Sequence, residues 1–381
     1  MDNSLTDIPT PAPVRVPLIY PFEAPPPRGE TLEVAPGVLW IRMPLPFKLD
    51  HINLYAIDDG EGWAVIDTGV RSEDSIATWR TLFDRSTDGR PISRVFVTHM
   101  HPDHVGMAGW LTRKFNCRLW MTRLEYLNCR ALVADTGREA PADALAFYRR
   151  AGWSETAAES YKTRFGDFGK MIYALPDSYR RIHDGEVLRI GQHDWRVVVG
   201  SGHCPEHACL YSAELKLLIS GDQILPRISS NVSVYPMEPD SNPMAEWLAS
   251  LDKLEREVPD DVLVLPSHNE CFRGLHARIA HLRKGQHTAL DRLRRRLEEP
   301  RRAVDVFVSL FGRPIDEANV PLLGMATGEA LACLNYLLDR GDAVCERDAE
   351  GVAWYSLSDR ARDDQAMEAA ATSPAPAGNV G

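Results

Sequence analysis

The 381-residue chain lacks several patterns that would assign it at once to a class of protein. Its seven cysteines include no C-x-x-C pair, which argues against a thiolate zinc site and against a disulfide framework. The first thirty or so residues are polar and proline-rich, without the apolar core of a signal peptide, and no run approaches the roughly 20 apolar residues that span a bilayer. We therefore expect reduced thiols, no membrane segment and a cytoplasmic location.

Two further absences limit the chemistry. The net charge of −11 argues against the whole chain being a nucleic-acid binder, although a local basic patch stays possible. No G-x-S-x-G elbow is present, so nothing in the sequence indicates a serine nucleophile. The composition, 44% hydrophobic and 25% charged residues, is that of an ordinary globular protein, and the length of 381 residues suits one large domain and a smaller one.

Histidine and aspartate are concentrated in the stretch T-H-M-H-P-D-H-V-G at Thr98–Gly106. The preceding run, S-R-V-F-V-T, is rich in β-branched and aromatic residues and predicts a buried strand that ends where the histidines begin. Three later candidates also follow predicted strands. Imidazole and carboxylate groups are common metal ligands, and seven of them suit two ions that share a carboxylate better than one tetrahedral ion. The candidate ligands are His99, His101, Asp103, His104, His203, Asp222 and His268.

This pattern resembles the metallo-β-lactamase superfamily, in which H-x-H-x-D-H, a later His, a bridging Asp and a final His form a dinuclear site. The resemblance covers roughly Leu32 to Leu275 and implies an α/β fold, an αββα sandwich with the site at one edge. It also implies one metal ion on His99, His101 and His203, a second on Asp103, His104 and His268, and a bridge through Asp222.

The same resemblance assigns supporting roles to two residues. Asp67, in V-I-D-T-G, matches the family's turn aspartate, which orients the site; the alternative is an aspartate that only caps a turn. His207, in G-H-C-P-E-H, has the position of a second histidine found in the glyoxalase II-like branch, where the related stretch usually has Gly in place of Glu206. A purely structural role for His207 is the alternative.

Two divalent metal ions are therefore expected as cofactors, with zinc preferred and iron or manganese left open because these ligands suit all three. Two such cations lower the pKa of a bound water towards 7 and polarise the group it attacks, so the resemblance implies hydrolysis by a metal-bridging hydroxide. Asp103 and Asp222 are the candidate catalytic carboxylates, because each could accept a proton as well as bind metal.

The substrate class does not follow from the metal chemistry. The residues after Asp222 and the C-terminal layout resemble the glyoxalase II-like hydrolases that include the β-lactamase-like-protein-2 family, a group containing thioesterases and a single-strand ribonuclease. A mostly helical, aromatic-rich insertion at 123–180 could enclose an acyl chain, or its aromatic residues could simply pack its helices. We favour a thioester, acyl-CoA or acylglutathione, over a phosphodiester or RNA, a lactone, or a mononuclear iron dioxygenase reaction.

Four polar residues just beyond Asp222 are candidates for binding a substrate head group or an oxyanion, with ordinary loop polarity as the alternative. They are Arg227, Ser230, Asn231 and Tyr235.

The chain is predicted to divide into a proline-rich arm, a catalytic domain, a winged-helix-like domain and a disordered tail, at residues 1–31, 32–275, 276–359 and 360–381. The arginines of the helix at 276–298 favour nucleic-acid binding, whereas Glu346, Asp348 and Glu350 in the hairpin would repel phosphates. We therefore prefer a packing or homodimer module and a small-molecule substrate, with no membrane partner.

Overall fold

The computed structural model describes residues 18–46, 49–85 and 89–363. The predicted arm up to residue 17 and the predicted tail from residue 364 lie outside the described residues. Within the described part of the arm, Ile19 pairs with Arg273 by backbone hydrogen bonds, so this segment lies along the catalytic domain. Residues 360–363, predicted as disordered, are instead helical and bury Ala361.

The first sheet has seven strands that pair in chain order. The first four are antiparallel, as the succession of short strand-like runs and turns after Leu32 predicts, and the remaining pairs are parallel. The strands are β1 (Thr31–Ala35), β2 (Val38–Pro44), β3 (His51–Asp58), β4 (Trp63–Ile66), β5 (Ile92–Phe96), β6 (Arg118–Met121) and β7 (Arg180–Arg181).

A second, five-stranded sheet has the order β12-β11-β10-β9-β8, with only β11 and β12 parallel. Its strands are β8 (Val187–Ile190), β9 (His193–Gly200), β10 (His207–Ser212), β11 (Leu217–Gly221) and β12 (Leu263–Pro266). Apolar side chains of both sheets, among them Trp40, Phe96 and Trp195, form one buried cluster between them. Helices cover the outer faces, which confirms the αββα sandwich.

The helices are α1 (Glu73–Arg85), α2 (Pro102–Val105), α3 (Ala108–Phe115), α4 (Arg123–Ala134), α5 (Ala142–Arg150), α6 (Glu155–Arg164), α7 (Pro243–Glu257), α8 (Leu275–Arg296), α9 (Phe307–Phe311) and α10 (Val320–Asp339). A single helix is predicted for 105–115; the structure instead has α3 starting at Ala108 and a separate short helix, α2, that begins earlier at Pro102 and ends at Val105. At the division, the backbone of Gly69 and Arg71 lies against Gly106, where a Cβ would not fit. Glycine thus allows the ligand segment to approach the loop after β4.

The insertion packs against two different parts of the protein. Tyr126 and Cys129 of α4 join the core on the outer side of the first sheet. The next two helices pack on α10, where the indole of Trp153 donates to the Thr327 hydroxyl over 2.8 Å. The insertion therefore connects the sandwich to the C-terminal region, and most of its aromatic residues serve this packing.

The C-terminal region contains α8, α9 and α10 and a two-stranded sheet, β13 (Ala343–Arg347) with β14 (Ala353–Leu357). By length and composition alone, α10 could cross a membrane, since its mean hydropathy is 1.2. This contradicts our expectation that no segment is long and apolar enough to span a bilayer. However, 61% of that window is buried inside the protein. Such burial is typical of a core helix, and α10 shares a core with α7 and α8.

Candidate metal centre

The candidate ligands meet at one edge of the sandwich because they follow strands that run in the same direction. β4 and β5 are parallel neighbours in the first sheet, and β11 and β12 are parallel neighbours in the second. Asp67 follows β4, the His99–His104 segment follows β5, Asp222 follows β11 and His268 follows β12. The two sheets therefore bring residues far apart in sequence to a common edge.

Three histidines form the first cluster, with ring nitrogens that face one another. His99 Nε2 lies 2.9 Å from His101 Nδ1 and 3.3 Å from His203 Nε2. All three ligand atoms lie within 4.8 Å of one another, a spacing that could hold a metal ion. The structure therefore brings together the three predicted ligands of the first metal.

Asp103, His104 and His268 form the second cluster. Asp103 Oδ2 lies 3.7 Å from His104 Nε2 and 3.4 Å from His268 Nε2. These atoms also lie within 4.8 Å of one another. His104 is completely buried, whereas 20% of the Asp103 side chain is exposed, so the cluster opens to solvent on the Asp103 side.

Asp222 lies between the two clusters. Its Oδ1 is 3.6 Å from His104 Nε2 and 3.4 Å from His268 Nε2, while its Oδ2 is 3.6 Å from His203 Nε2. One carboxylate oxygen therefore faces each cluster, which is the geometry that a bridging ligand requires.

The second nitrogen of three of these histidines is held by a neighbouring group. Asp67, with a φ of 61°, accepts a hydrogen bond from His104 Nδ1 over 2.8 Å and others from the backbone and hydroxyl of Thr98. The carbonyls of Asn231 and His51 lie 2.7 and 3.0 Å from Nδ1 of His203 and His268. These contacts direct each Nε2 towards the clusters.

Electrostatics distinguishes the clusters. Burial and the neighbouring imidazoles lower the pKa of His99 well below its usual value, and burial lowers the pKa of His101 to about 3. Burial also disfavours charge on His268, but the carboxylate of Asp222 and that of Asp103 outweigh it and raise its pKa to about 10. The first cluster thus presents neutral nitrogen ligands, and the second attracts positive charge.

The unsatisfied atoms of the centre fit a cation. Among the described residues, His104 Nε2 and Asp222 Oδ1 are buried and have no hydrogen-bond partner. Unpaired buried polar atoms are costly, and a metal ion would satisfy both. Burial would raise the pKa of Asp222, but His268 and His104 lower it well below its usual value, so the carboxylate is ionised and ready to bind a cation.

His207 supports Asp222 and belongs to none of the three potential ligand groups. The backbone N–H of Asp222 donates to His207 Nε2 over 3.0 Å. Burial, together with the nearby His203, lowers the pKa of His207 well below its usual value, which keeps it a neutral acceptor. Sequence reasoning left its role open, and the geometry favours positioning.

Glu125 is the residue that sequence reasoning missed. Its buried carboxylate accepts hydrogen bonds from the backbone N–H of Met100 and of Glu206, both over 2.9 Å. It therefore connects the loop of His99–His104 to the loop of His203. The signal in the sequence, T-R-L-E from Thr122, matches a helix capping box, yet the Thr122 side chain makes no capping bond. Burial raises the pKa of Glu125 against these hydrogen bonds.

The departure from the glyoxalase II-like pattern has a structural reason. The carboxylate of Glu206 accepts the backbone N–H of Leu124 over 2.8 Å, at the first turn of α4. The Thr122 hydroxyl donates to the carbonyl of Glu206 over 2.8 Å. A glycine could not make the first contact, so Glu206 attaches the insertion to the metal centre.

Three of the four predicted substrate-binding residues make internal contacts. Arg227 forms a two-pronged ion pair with Glu270, at 2.8 and 3.1 Å. The Ser230 hydroxyl donates to the carbonyl of Asp222, and the Asn231 amide donates to Glu329 of α10 over 2.8 Å. Tyr235 has 45% of its surface exposed and can contact a ligand.

Comparison with known proteins adds independent evidence. The family description "Metallo-beta-lactamase superfamily" matches residues 48–268. A second, "Metallo-beta-lactamase-like, C-terminal domain", matches residues 290–358, which include α9, α10 and the small sheet.

Solved structures and curated sequences agree at the level of the fold. A beta-lactamase domain protein from Burkholderia ambifaria is 42% identical, with a TM-score of 0.81, and the alignment covers 90% of this chain and 97% of that one. A metallo-beta-lactamase family protein from Thermus thermophilus, 24% identical over 86% of this chain and all of its own, has a TM-score of 0.71 and shares the fold. An atrochrysone carboxyl ACP thioesterase from Emericella nidulans is 25% identical over 60% of this chain, which spans about half (54%) of that enzyme.

Proposed function

The chain belongs to the metallo-beta-lactamase superfamily, and from this premise we propose that it is a hydrolase that uses two zinc ions to cleave a thioester. His99, His101 and His203 would hold one ion and Asp103, His104 and His268 the other. The observation that carries the proposal is the position of Asp222, with one carboxylate oxygen towards each cluster. When bound, such ions lower the pKa of water towards 7 and polarise a carbonyl.

The two carboxylates have different tasks in this proposal. Asp222 has 11% of its side chain exposed. Ser230 and His207 form hydrogen bonds with its backbone, and its carboxylate serves as the bridge. Asp103 has 20% of its side chain exposed and faces the open side of the centre, where it can accept a proton from water as the carbonyl is attacked. The departing thiolate needs little help from an acid, because the pKa of an ordinary thiol is only about 8.5.

The thioester is favoured by two observations. The thioesterase from Emericella nidulans is a distant relative, 25% identical over 60% of this chain. Tyr235, Met237 and Met325 are exposed at 45%, 64% and 51%, on the segment after Asp222 and on the neighbouring α10. Exposed apolar groups of this size often mark a ligand site, and here they suit the flexible chain of a thioester substrate. They suggest that the segment after Asp222 and α10, more than the insertion, line the substrate site.

A nuclease is the competing proposal, and the basic helix α8 gives it little support. Arg278 is buried and donates to the carbonyls of Leu225 and Ile228, at 2.6 and 2.7 Å. Arg283 pairs with Glu255 over 2.6 Å. Arginines that are already paired contribute little to phosphate binding, which leaves the exposed Arg295 and Arg296 at the end of α8 as the part that could favour RNA; we prefer a packing role for the helix. We also keep four expectations as proposals: a C-terminal region of the winged-helix type, membership of the glyoxalase II-like branch, a homodimer and a cytoplasmic location.

The experiment is elemental analysis followed by a hydrolysis panel. Two zinc ions per chain are expected, with turnover of acyl-CoA or S-lactoylglutathione ahead of an acyl lactone, a cephalosporin, bis-p-nitrophenyl phosphate and single-stranded RNA. Preference for the phosphodiesters would replace the thioester proposal with a phosphodiesterase. One iron per chain with oxygen consumption would instead indicate a dioxygenase. Full activity without bound metal would refute the metal mechanism itself.

A further inference from the structure

A cleft of about 270 Å³ lies outside the metal centre, where the insertion meets the C-terminal region. Residues of α5 form one wall, α10 forms a second and the β13–β14 hairpin forms a third, while the loop at Pro239 and Asp240 also borders it. Much of its lining is apolar, from Phe147, Ala151, Leu331, Leu338, Ala353 and Tyr355. The volume suits part of a ligand, since pockets for whole drug-sized molecules are usually about 300–1,000 Å³.

Two arginines enter this cleft from different elements. Arg150 comes from the end of α5 and Arg347 from the end of β13. The hairpin register pairs Arg347 with Ala353 and Cys345 with Tyr355, so these four residues share one face of the hairpin. Burial raises the pKa of the Cys345 thiol, and the guanidinium groups of Arg347 and Arg150 oppose that rise. Both cations therefore lie near the same thiol.

Neither arginine is neutralised. Within residues 18–46, 49–85 and 89–363, Arg150 and Arg347 make no ion pair and no side-chain hydrogen bond. The neighbouring Arg149, by contrast, pairs with Glu155 over 2.7 Å. Asp240 is the acidic residue of the lining. Glu346 lies on the opposite face of the hairpin from Arg347, and Asp348 in the turn accepts a hydrogen bond from the Trp354 indole, so the hairpin carboxylates are not part of the lining and positive charge is in excess there. Two guanidinium groups beside an apolar surface are suited to a phosphate ester on an organic chain.

The cleft and the metal centre share two elements. On α10, Glu329 binds Asn231 beside His203, and Leu338 lines the cleft; nine residues of helix separate these positions by about 13 Å. The loop after Asp222 carries the exposed Tyr235 near the metal centre and Asp240 at the cleft. Because α10 is buried from Ala330 to Leu334, a long, narrow substrate would reach from one to the other along the exposed loop of Tyr235, Met237 and Asp240.

We propose that this cleft binds the phosphate of the substrate's thiol carrier, the phosphopantetheine group that coenzyme A and carrier proteins have in common. The thioester then lies at the metal centre and the pantetheine chain lies along the exposed loop at 235–240. This inference rests on the proposed function, because it assumes that the thioester carries such a group.

Binding of a non-hydrolysable ligand tests the cleft without measuring catalysis. Calorimetry on the full-length, metal-loaded protein would compare S-methyl coenzyme A with S-methyl pantetheine, which lacks phosphate. Coenzyme A is expected to bind more tightly, and Arg150→Ala and Arg347→Ala should each weaken it by about tenfold or more. Arg149→Ala is the matched control and should leave binding unchanged. A third ligand, S-methyl 4′-phosphopantetheine, carries only the phosphate of the pantetheine group and shows whether that phosphate or another phosphate of coenzyme A is bound.

Cys345 supplies a second measurement, because it is the exposed cysteine of the chain. S-methyl coenzyme A should slow its alkylation, and S-methyl pantetheine should not. Equal affinity for the two ligands, or coenzyme A binding that survives both arginine substitutions, would overturn the proposal. If coenzyme A binding depends on the arginines but the protein hydrolyses no thioester, the cleft is supported and the proposed function is rejected. If the protein hydrolyses thioesters equally well with and without a phosphate on the thiol carrier, the proposed function is supported and the cleft is rejected.

Discussion

Replacing Glu125 with glutamine should weaken the metal centre although Glu125 touches none of the candidate ligands' imidazole or carboxylate groups. Its two oxygens accept the N–H groups of Met100 and Glu206, both over 2.9 Å, and Glu125 itself is fully buried. In glutamine one oxygen becomes an NH₂ group, which faces an N–H donor. One charge-assisted hydrogen bond is lost and a buried donor is left unpaired, at a cost of about 2–3 kcal/mol.

The cost should appear both in stability and in metal affinity. Urea unfolding of the metal-free protein should show a lower free energy of unfolding by that amount. Zinc affinity, measured by competition with a chromophoric chelator, should fall by roughly 10–100-fold, as for other residues that orient metal ligands. Glu125→Ala, which leaves both N–H groups unpaired, should lose about twice as much stability.

Glu139→Gln is the matched control, since Glu139 is exposed in the loop after α4. It should behave as the wild type in both assays. If Glu125→Gln retained wild-type zinc affinity and wild-type stability, the carboxylate would not be what joins the two ligand loops, and the reasoning from its hydrogen bonds would be refuted.

Three other predictions concern the bridge, its support and the sheet edge. Asp222→Ala should lose metal and activity together, because both clusters lose a shared ligand; elemental analysis finding two ions would contradict this. Gly221→Ala should lower the melting temperature and metal occupancy, because at a φ of 53° an added Cβ would overlap the His207 ring, and an unchanged melting curve would refute it. Burial would raise the pKa of Asp59, but hydrogen bonds, among them one from Arg94 Nε over 2.8 Å, lower it. The stabilisation of the fold by ionised Asp59 is therefore present above the pKa of about 3.9 that an aspartate has in the unfolded chain, and it is lost as pH falls through the lower pKa of the folded protein. Asp59→Asn should accordingly destabilise the protein at pH 7 by about 1–3 kcal/mol, with a difference that shrinks below pH 4 in urea titrations.

Local pattern was enough to predict many elements. The short apolar run at Arg118–Met121 predicts a strand and the amphipathic pattern at Pro243–Glu257 predicts a helix, and both elements have these bounds in the structure; the antiparallel strands expected after Leu32 are also confirmed. These segments carry their own signal, a short apolar run or a periodic apolar face with a proline in the first turn. The division at Gly106 was not predicted, because its cause is a contact with the loop after β4.

The candidate ligands were predictable for the same reason. Each follows a strand, and the spacing of His99, His101, Asp103 and His104 is itself a local pattern. The roles of polar loop residues were not predictable from the sequence. Arg227 and Ser230 suggested substrate contacts, but Arg227 pairs with Glu270 and Ser230 holds the backbone of Asp222. A polar side chain in a loop has many potential partners, and sequence does not rank them.

By itself, the sequence determined which candidate nitrogen and oxygen ligands this protein has and at which strand ends they lie. Only the tertiary structure decided that Asp222 faces both clusters, that Glu125 joins the ligand loops, and that Arg150 and Arg347 share a cleft. The physical reason is that strand and helix signals depend on neighbouring residues, whereas the direction of a side chain towards a distant one depends on how sheets and helices pack.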